Sequence, residues 1–258
     1  MGVISYKPLI EDMTWSFSRV ETFESCPYRW YLKYIRNCRD TDKFYASYGS
    51  FIHKIIERYY KGELEQNDMA TEFLLGFSEN VRGIRPNQAV VESYIDSGTE
   101  YLRNFKPFPF DMIAVEKRVD FEIEGIPFTG YIDFLGEKDG EFYIVDNKSR
   151  NLKPRSKRQK PTKNDIVLDE KLRQLYLYSA AVEQEYGKLP KALYFNCFKN
   201  GQFIEEPFSA EAYEEAKKWA VDTVRRIEDE EDFEANPEFF SCIYICGVSG
   251  KCDKTNYN

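Results

Sequence analysis

The amino-acid sequence predicts an α/β domain in which helices cover both faces of a mixed β-sheet. Apolar residues recur at helical spacing before residue 107, alternate at strand spacing over residues 112–148, and return to helical spacing further on. Hydrophobic residues make up 42% of the 258 positions, which is enough to bury a core and excludes a mostly disordered chain. We therefore expect one domain over residues 1–258.

The segment before residue 107 is predicted to be helical. A Ser-x-x-Glu capping box begins at Ser18, and the aromatic-rich stretch after it is interrupted at Cys26-Pro27, which indicates one broken helix or two consecutive ones. Residues 49–61 place six apolar side chains at helical spacing and predict a further helix. Residues 63–107 continue in a mainly helical pattern, and we interpret them as a helical insertion.

The pattern then changes to the alternation of strands. Residues 112–148 contain two turn signals, Glu124-Gly125 and Asp139-Gly140, and so predict a three-stranded antiparallel meander. A basic loop over residues 149–165 and a helix over residues 169–186 come next. The rest of the chain predicts a strand over 192–198, an Asn200-Gly201 turn, a short strand to Phe208, a helix over 209–229 and a cysteine-bearing tail.

Two aspartates and a lysine are expected to meet on one face of the meander. With Asp139-Gly140 at the centre of a type I′ hairpin, the numbers of opposed residues sum to 279, so Asp133 faces Asp146. Opposed like charges destabilise a strand pair unless a cation lies between them, and Lys148 follows two residues later on the same face. This arrangement favours a divalent-cation site. The alternative is a solvated acidic face, and the apolar neighbours of both aspartates weigh against it.

These segments resemble the PD-(D/E)XK nuclease superfamily in its RecB-like branch of CRISPR-associated and AddB-like exonucleases. The central match is GYIDFLG followed by YIVDNKS, and further matches are SFSRVETFESCPYRWYLKY, GSFIH, QLYLY and the terminal cysteines. The motifs run from Ser16 to Cys252, and their order is far more specific than any one of them. The resemblance implies a restriction-endonuclease-like core with a helical insertion at 63–107 and an iron–sulfur tail at 233–258.

The resemblance implies a metal-dependent DNA nuclease. Its cation, Mg²⁺ or Mn²⁺, would be bound by His53, Asp133, Asp146 and the backbone carbonyl of Asn147. Hard oxygen ligands suit both ions, and the imidazole favours Mn²⁺. Lys148 would position or activate water and stabilise the charge that develops on the phosphate.

Two residues on the helix after the meander complete the implied catalytic set. Gln174 and Tyr178 lie four positions apart and share one face of that helix. The resemblance suggests that they contact substrate or steady Lys148, and simple amphipathicity is the alternative. Glu116, on the first strand of the meander, is a weaker candidate for a residue that supports the metal ligands.

Three of the six cysteines lie within the last 17 residues, a crowding that in a cytosolic chain more often binds metal than forms disulfides. They are Cys242, Cys246 and Cys252. Together with Cys26 they resemble the cysteines of iron–sulfur members of the branch, which implies a 4Fe-4S cluster that joins the tail to the N-terminal helix. The C-x3-C spacing departs from the commoner C-x2-C, so Cys38 is an alternative to Cys26. Structural zinc, or free thiols without any metal, would also account for the crowding.

Positive charge is concentrated in the loop after the meander, in a chain whose net charge is −8. This balance excludes a protein that coats nucleic acid indiscriminately, but the loop could attract phosphates locally. We interpret it as a DNA contact, and a flexible, solvated loop is the alternative. Its basic residues after Lys148 are Arg150, Lys153, Arg155, Lys157, Arg158, Lys160 and Lys163.

We therefore expect a deoxyribonuclease, in the form of an exonuclease on single-stranded or end-bearing DNA. It would work in recombination, repair, or phage or CRISPR DNA processing, with a recombination, helicase or CRISPR protein as partner. A catalytically silent nucleic-acid-binding adaptor and an endonuclease of the same superfamily are the alternatives. The sequence shows neither a long apolar span nor a signal peptide, so we expect no membrane partner and a cytoplasmic location.

Overall fold

A five-stranded mixed sheet forms the centre of the computed structural model, which describes residues 5–255 and 257. The strands lie side by side in chain order. They are β1 (Asp111–Ile123), β2 (Ile126–Lys138), β3 (Glu141–Lys148), β4 (Ala192–Cys197) and β5 (Gln202–Pro207). The first three form an antiparallel meander, β4 pairs with β3 in parallel, and β5 pairs with β4 antiparallel. The predicted α/β class with a mixed sheet and a meander is confirmed.

The two turns of the meander set its register. Glu124-Gly125 and Asp139-Gly140 all adopt positive φ, between 50° and 78°, as type I′ turns require. In the β2–β3 ladder, pairs such as Lys138 with Glu141 have numbers that sum to 279, as the sequence predicts. The ladder ends at Phe134 with Val145, and the next positions along the two strands are Asp133 and Asp146.

Helices pack on both faces of the sheet. They are α1 (Lys7–Ile10), α2 (Phe17–Ser25), α3 (Pro27–Tyr34), α4 (Phe44–Tyr60), α5 (Met69–Asn80), α6 (Gln88–Arg103), α7 (Lys163–Tyr186) and α8 (Ala210–Glu228). Ile144 of β3 belongs to the core formed with α2, α3, α7 and α8. Its neighbour Val145 belongs to a cluster that Tyr60 of α4 packs against. The alternation of β3 side chains therefore divides the core into two layers.

Several predicted helix boundaries are wrong, and for α2 and α7 the caps explain why. The N-cap of α2 is Ser16, whose hydroxyl accepts a hydrogen bond from Arg19 N at 3.2 Å, so Ser18 lies inside the helix rather than capping it. The long helix α7 starts at Lys163 rather than 169, because Thr162 and Asp165 form a capping box. Helix α4 likewise begins five residues earlier than predicted, at Phe44.

The helical segment before the meander consists of a short 3₁₀ turn at Gln66–Asp68 and the helices α5 and α6. With α4 these helices share a second apolar core. No helix in the described part of the chain is both long and apolar enough to cross a membrane.

Candidate active site

Asp133 in the middle of β2 meets Asp146 and Lys148 at the C-terminal end of β3, as the hairpin register predicts. Both aspartates are buried, with 9% and 3% of their surface exposed. Asp133 Oδ2 accepts a hydrogen bond from the backbone N–H of Asn147 at 2.7 Å. Asp146 Oδ2 lies 2.7 Å from Lys148 Nζ as an ion pair, but the contact lacks the geometry of a hydrogen bond. The carboxylates are therefore inside the protein and only partly compensated.

Helix α4 brings His53 to the same place. The buried residues Ile52, Ile55 and Ile56 hold α4 in its apolar core, and His53 reaches from α4 to Asp133 of β2 and Asn147 of β3. Its Nε2 lies 2.9 Å from the carbonyl oxygen of Asn147, and its Nδ1 lies 3.4 Å from Asp133 Oδ2. The structure thus brings His53 to Asp133 and Asn147, while Asp146 lies next to them but outside the group of described ligand atoms that are all within 4.8 Å of one another.

Glu116 of β1 also belongs to this group. It lies close enough to His53 and Asp133 to be a candidate ligand itself, rather than only a residue that supports the ligands. Its Oε1 lies 3.7 Å from His53 Nδ1, and the ligand atoms of His53, Glu116 and Asp133 all lie within 4.8 Å of one another. Glu116 has φ of 48°, a left-handed conformation that is uncommon for a residue other than glycine and is found at functional sites. The sequence carried a usable signal: about the Glu124-Gly125 turn, Glu116 is the residue opposite Asp133, and the observed pairs on either side agree.

The pKa values show how much negative charge is gathered here. Burial raises the pKa of Asp146 to about 6, and the nearby Asp133 adds to the rise while Lys148 opposes it. Burial also raises the pKa of Asp133. Burial lowers the pKa of His53, but the charges of Asp133, Glu116 and Asp146 outweigh it and raise the pKa to about 9. In the metal-free protein the imidazolium therefore supplies the positive charge that a bound cation would bring.

The donor set fits a divalent cation. It offers carboxylate oxygens from Glu116, Asp133 and Asp146, the carbonyl of Asn147 and one imidazole. Hard oxygen donors are those that Mg²⁺ and Mn²⁺ prefer, and an imidazole among them is compatible with Mn²⁺. Binding would displace the proton of His53, because a ligating imidazole must be neutral.

Helix α7 supplies two residues that continue a series of hydrogen bonds from Lys148. Lys148 Nζ donates to Gln174 Oε1 at 2.8 Å, and Gln174 Nε2 donates to the Tyr178 hydroxyl at 3.3 Å. Tyr178 packs directly on Gly130, where an added β-carbon would lie 2.4 Å from the ring. Burial raises the pKa of Tyr178 to about 12, so the hydroxyl stays protonated. The predicted catalytic residues Lys148, Gln174 and Tyr178 thus form one chain of contacts.

Four cysteines line a separate cavity of about 950 Å³ between the tail and the α2–α3 junction. They are Cys26, Cys242, Cys246 and Cys252. Burial and the nearby thiols of Cys26 and Cys242 raise the pKa values of Cys246 and Cys252. The tail is tied to the junction, since Asn236 N donates to Cys26 Sγ at 3.4 Å and the Tyr28 hydroxyl donates to Asp253 at 2.6 Å. Cys38 is not among the residues that line this cavity.

The sulfur positions bear on the kind of group that the cysteines could hold. Among the described residues, no three cysteines bring their sulfur atoms within 4.8 Å of one another. Tetrahedral zinc with Zn–S bonds of about 2.3 Å needs sulfurs about 3.8 Å apart. A cluster of several irons and sulfides is a larger group, and its thiolate ligands stand further apart. Among the described residues, the cysteine sulfurs therefore do not form a closed tetrahedral zinc site.

The basic loop is anchored at defined points. Arg155 pairs with Glu206 at 2.9 Å and with Asp169 at 2.6 Å, and Ser156 bonds through its amide and hydroxyl to Asp165. Arg155 thus ties the loop to β5 and α7. The other basic residues are exposed, and within the described chain none of them pairs with a carboxylate: Arg150, Lys153, Lys157, Arg158, Lys160 and Lys163.

Comparisons with known proteins bear on the family and the fold of this chain. The family model of the PD-(D/E)XK nuclease superfamily matches residues 14–253. The crystal structure of a "putative exonuclease" from Eubacterium rectale is similar over 94% of this chain and 92% of that chain, with a TM-score of 0.55 and 14% identity. A second structure, of SSO0001, covers 79% of this chain and 94% of that chain at a TM-score of 0.33 and 15% identity. No curated protein matches the chain.

The first of these similarities shows a shared fold, and the family model spans nearly the whole chain. The meander, the parallel strand β4 and the flanking helices form the restriction-endonuclease-like fold of this family. The chain therefore belongs to the PD-(D/E)XK nuclease superfamily.

Proposed function

We propose that this chain is a divalent-cation-dependent deoxyribonuclease that hydrolyses phosphodiester bonds at the site around Asp133 and Asp146. The observation that carries the proposal is the partly buried group of His53, Glu116 and Asp133 beside the Asp146–Lys148 ion pair. This combination gathers ligands for a hard cation next to a lysine that can meet a phosphate oxygen. Family membership supports hydrolytic nuclease chemistry.

Each residue has a role that follows from its position. The acidic side chains, His53 and the Asn147 carbonyl would hold the cation, which when bound polarises the scissile phosphate and lowers the pKa of its water. Lys148 is placed to stabilise negative charge as it develops on the phosphate. Gln174 holds the Lys148 ammonium, and Tyr178 holds Gln174. Burial of Asp133 and Asp146 keeps bulk water from these carboxylates and strengthens their electrostatic interactions.

The substrate in this proposal is DNA that is single-stranded or has a free end, and the cleavage mode is exonucleolytic. The exposed cations after Lys148 support a DNA path, because they follow the catalytic strand directly and face solvent without carboxylate partners in the described chain. The motifs of the RecB-like branch support exonuclease action in recombination, repair, or phage or CRISPR DNA processing, with a protein partner from one of those processes. A cytoplasmic location is part of this proposal.

We also propose that Cys26, Cys242, Cys246 and Cys252 bind a 4Fe-4S cluster. The cavity that the four thiols share supports a common ligand, and the resemblance to iron–sulfur members of the branch supports a cluster as that ligand. Such a cluster would join the tail, residues 233–258, to the α2–α3 junction and so stabilise the chain ends. Positions 256 and 258 of that tail lie outside the described residues.

The test uses end-labelled single-stranded and double-stranded DNA with Mg²⁺ or Mn²⁺, and resolves the products by length. We expect cleavage from an end that stops in excess EDTA and is lost in Asp146→Asn and Lys148→Ala. Internal cuts would decide for an endonuclease. DNA binding without cleavage under any metal would overturn the enzyme and favour the adaptor.

A further inference from the structure

A buried pair of asparagines lies behind the metal site. Asn196 of β4 is in register with Asn147 of β3, and its Nδ2 donates to Asn147 Oδ1 at 2.6 Å. The same Nδ2 donates its second hydrogen to the hydroxyl of Tyr101, on α6, at 2.7 Å. Both asparagines are only 4% exposed. The amide of Asn196 thus links Asn147 to the helices that precede the meander.

Asn147 in turn holds two residues of the metal site through its backbone. Its N–H donates to Asp133 Oδ2 at 2.7 Å, and its carbonyl oxygen lies 2.9 Å from His53 Nε2. The peptide groups on both sides of Asn147 therefore set where Asp133 and His53 stand. The side chain of Asn147 accepts a hydrogen bond from Asn196. A rotation of Asn147 would break that bond, so Asn196 opposes it.

Burying two amides is costly unless their hydrogen bonds are satisfied, and an apolar pair would fill the same volume without that cost. The hydrogen bonds of Asn196 contribute defined orientation instead, because each bond has one favourable geometry. The ring of Phe198 packs near both Tyr101 and His53. Its centre lies 5.9 Å from the centre of the Tyr101 ring and 6.0 Å from that of the His53 ring. Burial raises the pKa of Tyr101, which keeps its hydroxyl neutral in this role.

We propose that Asn196 is a positioning residue for the metal site, and that Tyr101 couples α6 to that site through it. The inference rests on the divalent-cation site of the proposed function. The partners of metal ligands typically change metal affinity by about 10- to 100-fold when they are removed. The effect should therefore be found in cation affinity rather than in DNA binding.

The experiment measures Mn²⁺ binding to the DNA-free protein, from the electron paramagnetic resonance signal of free Mn²⁺. Asn196→Leu removes both hydrogen bonds at similar volume, and we expect it to raise the Kd about tenfold. Cleavage should then require more Mn²⁺ for half-maximal rate, while kcat at saturating Mn²⁺ recovers most of its value. Asn147→Ala, which keeps the backbone ligand, should shift the Kd equally, and the double variant should shift it no further.

Tyr101→Phe removes a single hydroxyl and should raise the Kd about threefold. Asn104→Leu is the matched control, since Asn104 follows the same helix but bonds to Glu100 rather than to the site. Wild-type Mn²⁺ affinity in Asn196→Leu, or additive shifts in the double variant, would overturn the proposal. If Asn196→Leu does not fold, unchanged affinity in both Asn147→Ala and Tyr101→Phe has the same meaning. Wild-type protein that binds Mn²⁺ but never cuts DNA would refute the nuclease and leave the positioning role testable by binding alone.

Discussion

Lys148 is held by Gln174: its ammonium donates a hydrogen bond of 2.8 Å to the Gln174 side-chain oxygen while it lies 2.7 Å from Asp146. Without Gln174, the ion pair with Asp146 would be the strongest remaining attraction, and Lys148 would turn toward the carboxylate. The ammonium would then be displaced from a phosphate bound in the site. The position of Lys148 is therefore set by two attractions, one to Asp146 on β3 and one to Gln174 on α7.

We predict that Gln174→Leu lowers kcat about tenfold with a small change in KM, because the lysine is misplaced rather than removed. Gln184→Leu is the matched control on α7, since the Gln184 amide bonds to the backbone of Glu122 and not to Lys148. Steady-state kinetics of both variants on the same labelled DNA make the comparison. An unchanged kcat in Gln174→Leu would show that Lys148 needs no support from α7.

Replacing Glu116 with Gly is predicted to weaken metal binding without lowering the stability of the metal-free protein. Glu116→Gly relieves the left-handed backbone and removes one of the crowded carboxylates, so the metal-free protein should be at least as stable as wild type in thermal unfolding. The Kd for Mn²⁺ should rise about tenfold or more, because a ligand is lost. Glu124→Gly is the control: its φ is 50°, but it is a turn residue whose carboxylate pairs with Arg225. Wild-type Mn²⁺ affinity in Glu116→Gly would remove Glu116 from the donor set.

The cysteine proposal predicts anaerobically purified protein that is brown and carries about four irons per chain. Cys26→Ser should lose the iron and unfold at a lower temperature, because the tail is no longer joined to the α2–α3 junction. Cys38→Ser should keep the iron, since Cys38 is not part of the cavity lining. Metal analysis and thermal unfolding of the three proteins are the measurements. Colourless wild-type protein with one zinc per chain would establish the zinc alternative.

The basic loop predicts two distinct effects within one short segment. Replacing Lys157, Arg158 and Lys160 with Ala should flatten the slope of log affinity for single-stranded DNA against log salt, by about 0.7 for each phosphate that is no longer neutralised. The fold should be unaffected, because these side chains are exposed and, within the described chain, unpaired with carboxylates. Binding to Asp146→Asn protein at several salt concentrations avoids cleavage. Equal slopes would indicate that the loop is only solvated.

Arg155→Ala should behave differently. It breaks the ion pairs to Asp169 and to Glu206, which is only 8% exposed, and so leaves a buried carboxylate without its partner. We expect a loss of about 1–3 kcal/mol in the free energy of unfolding, with little change in the salt slope. Chemical denaturation measures the first quantity, and the salt titration above measures the second. A flattened salt slope without a loss of stability would indicate that Arg155 contacts DNA.

Local sequence patterns account for the parts of this protein that depend on neighbouring residues. Type I′ turns at Glu124-Gly125 and Asp139-Gly140 set the register of the meander, because their positive φ values and the alternation of side chains leave one pairing that buries the apolar face. That register was enough to bring Asp133 to Asp146 and Lys148. Applied to the first turn, it also brings Glu116 opposite Asp133.

The contacts that other segments make with these residues depend instead on how distant parts of the chain pack together. His53 reaches the carbonyl of Asn147 over 94 positions, and Arg155 reaches Glu206 over 51. No local pattern encodes such contacts, since they follow from how α4 packs on the sheet and how β4 enters it in parallel with β3. Packing of that kind is chosen by the burial of the whole core, in which each contact is favourable only when the others have formed.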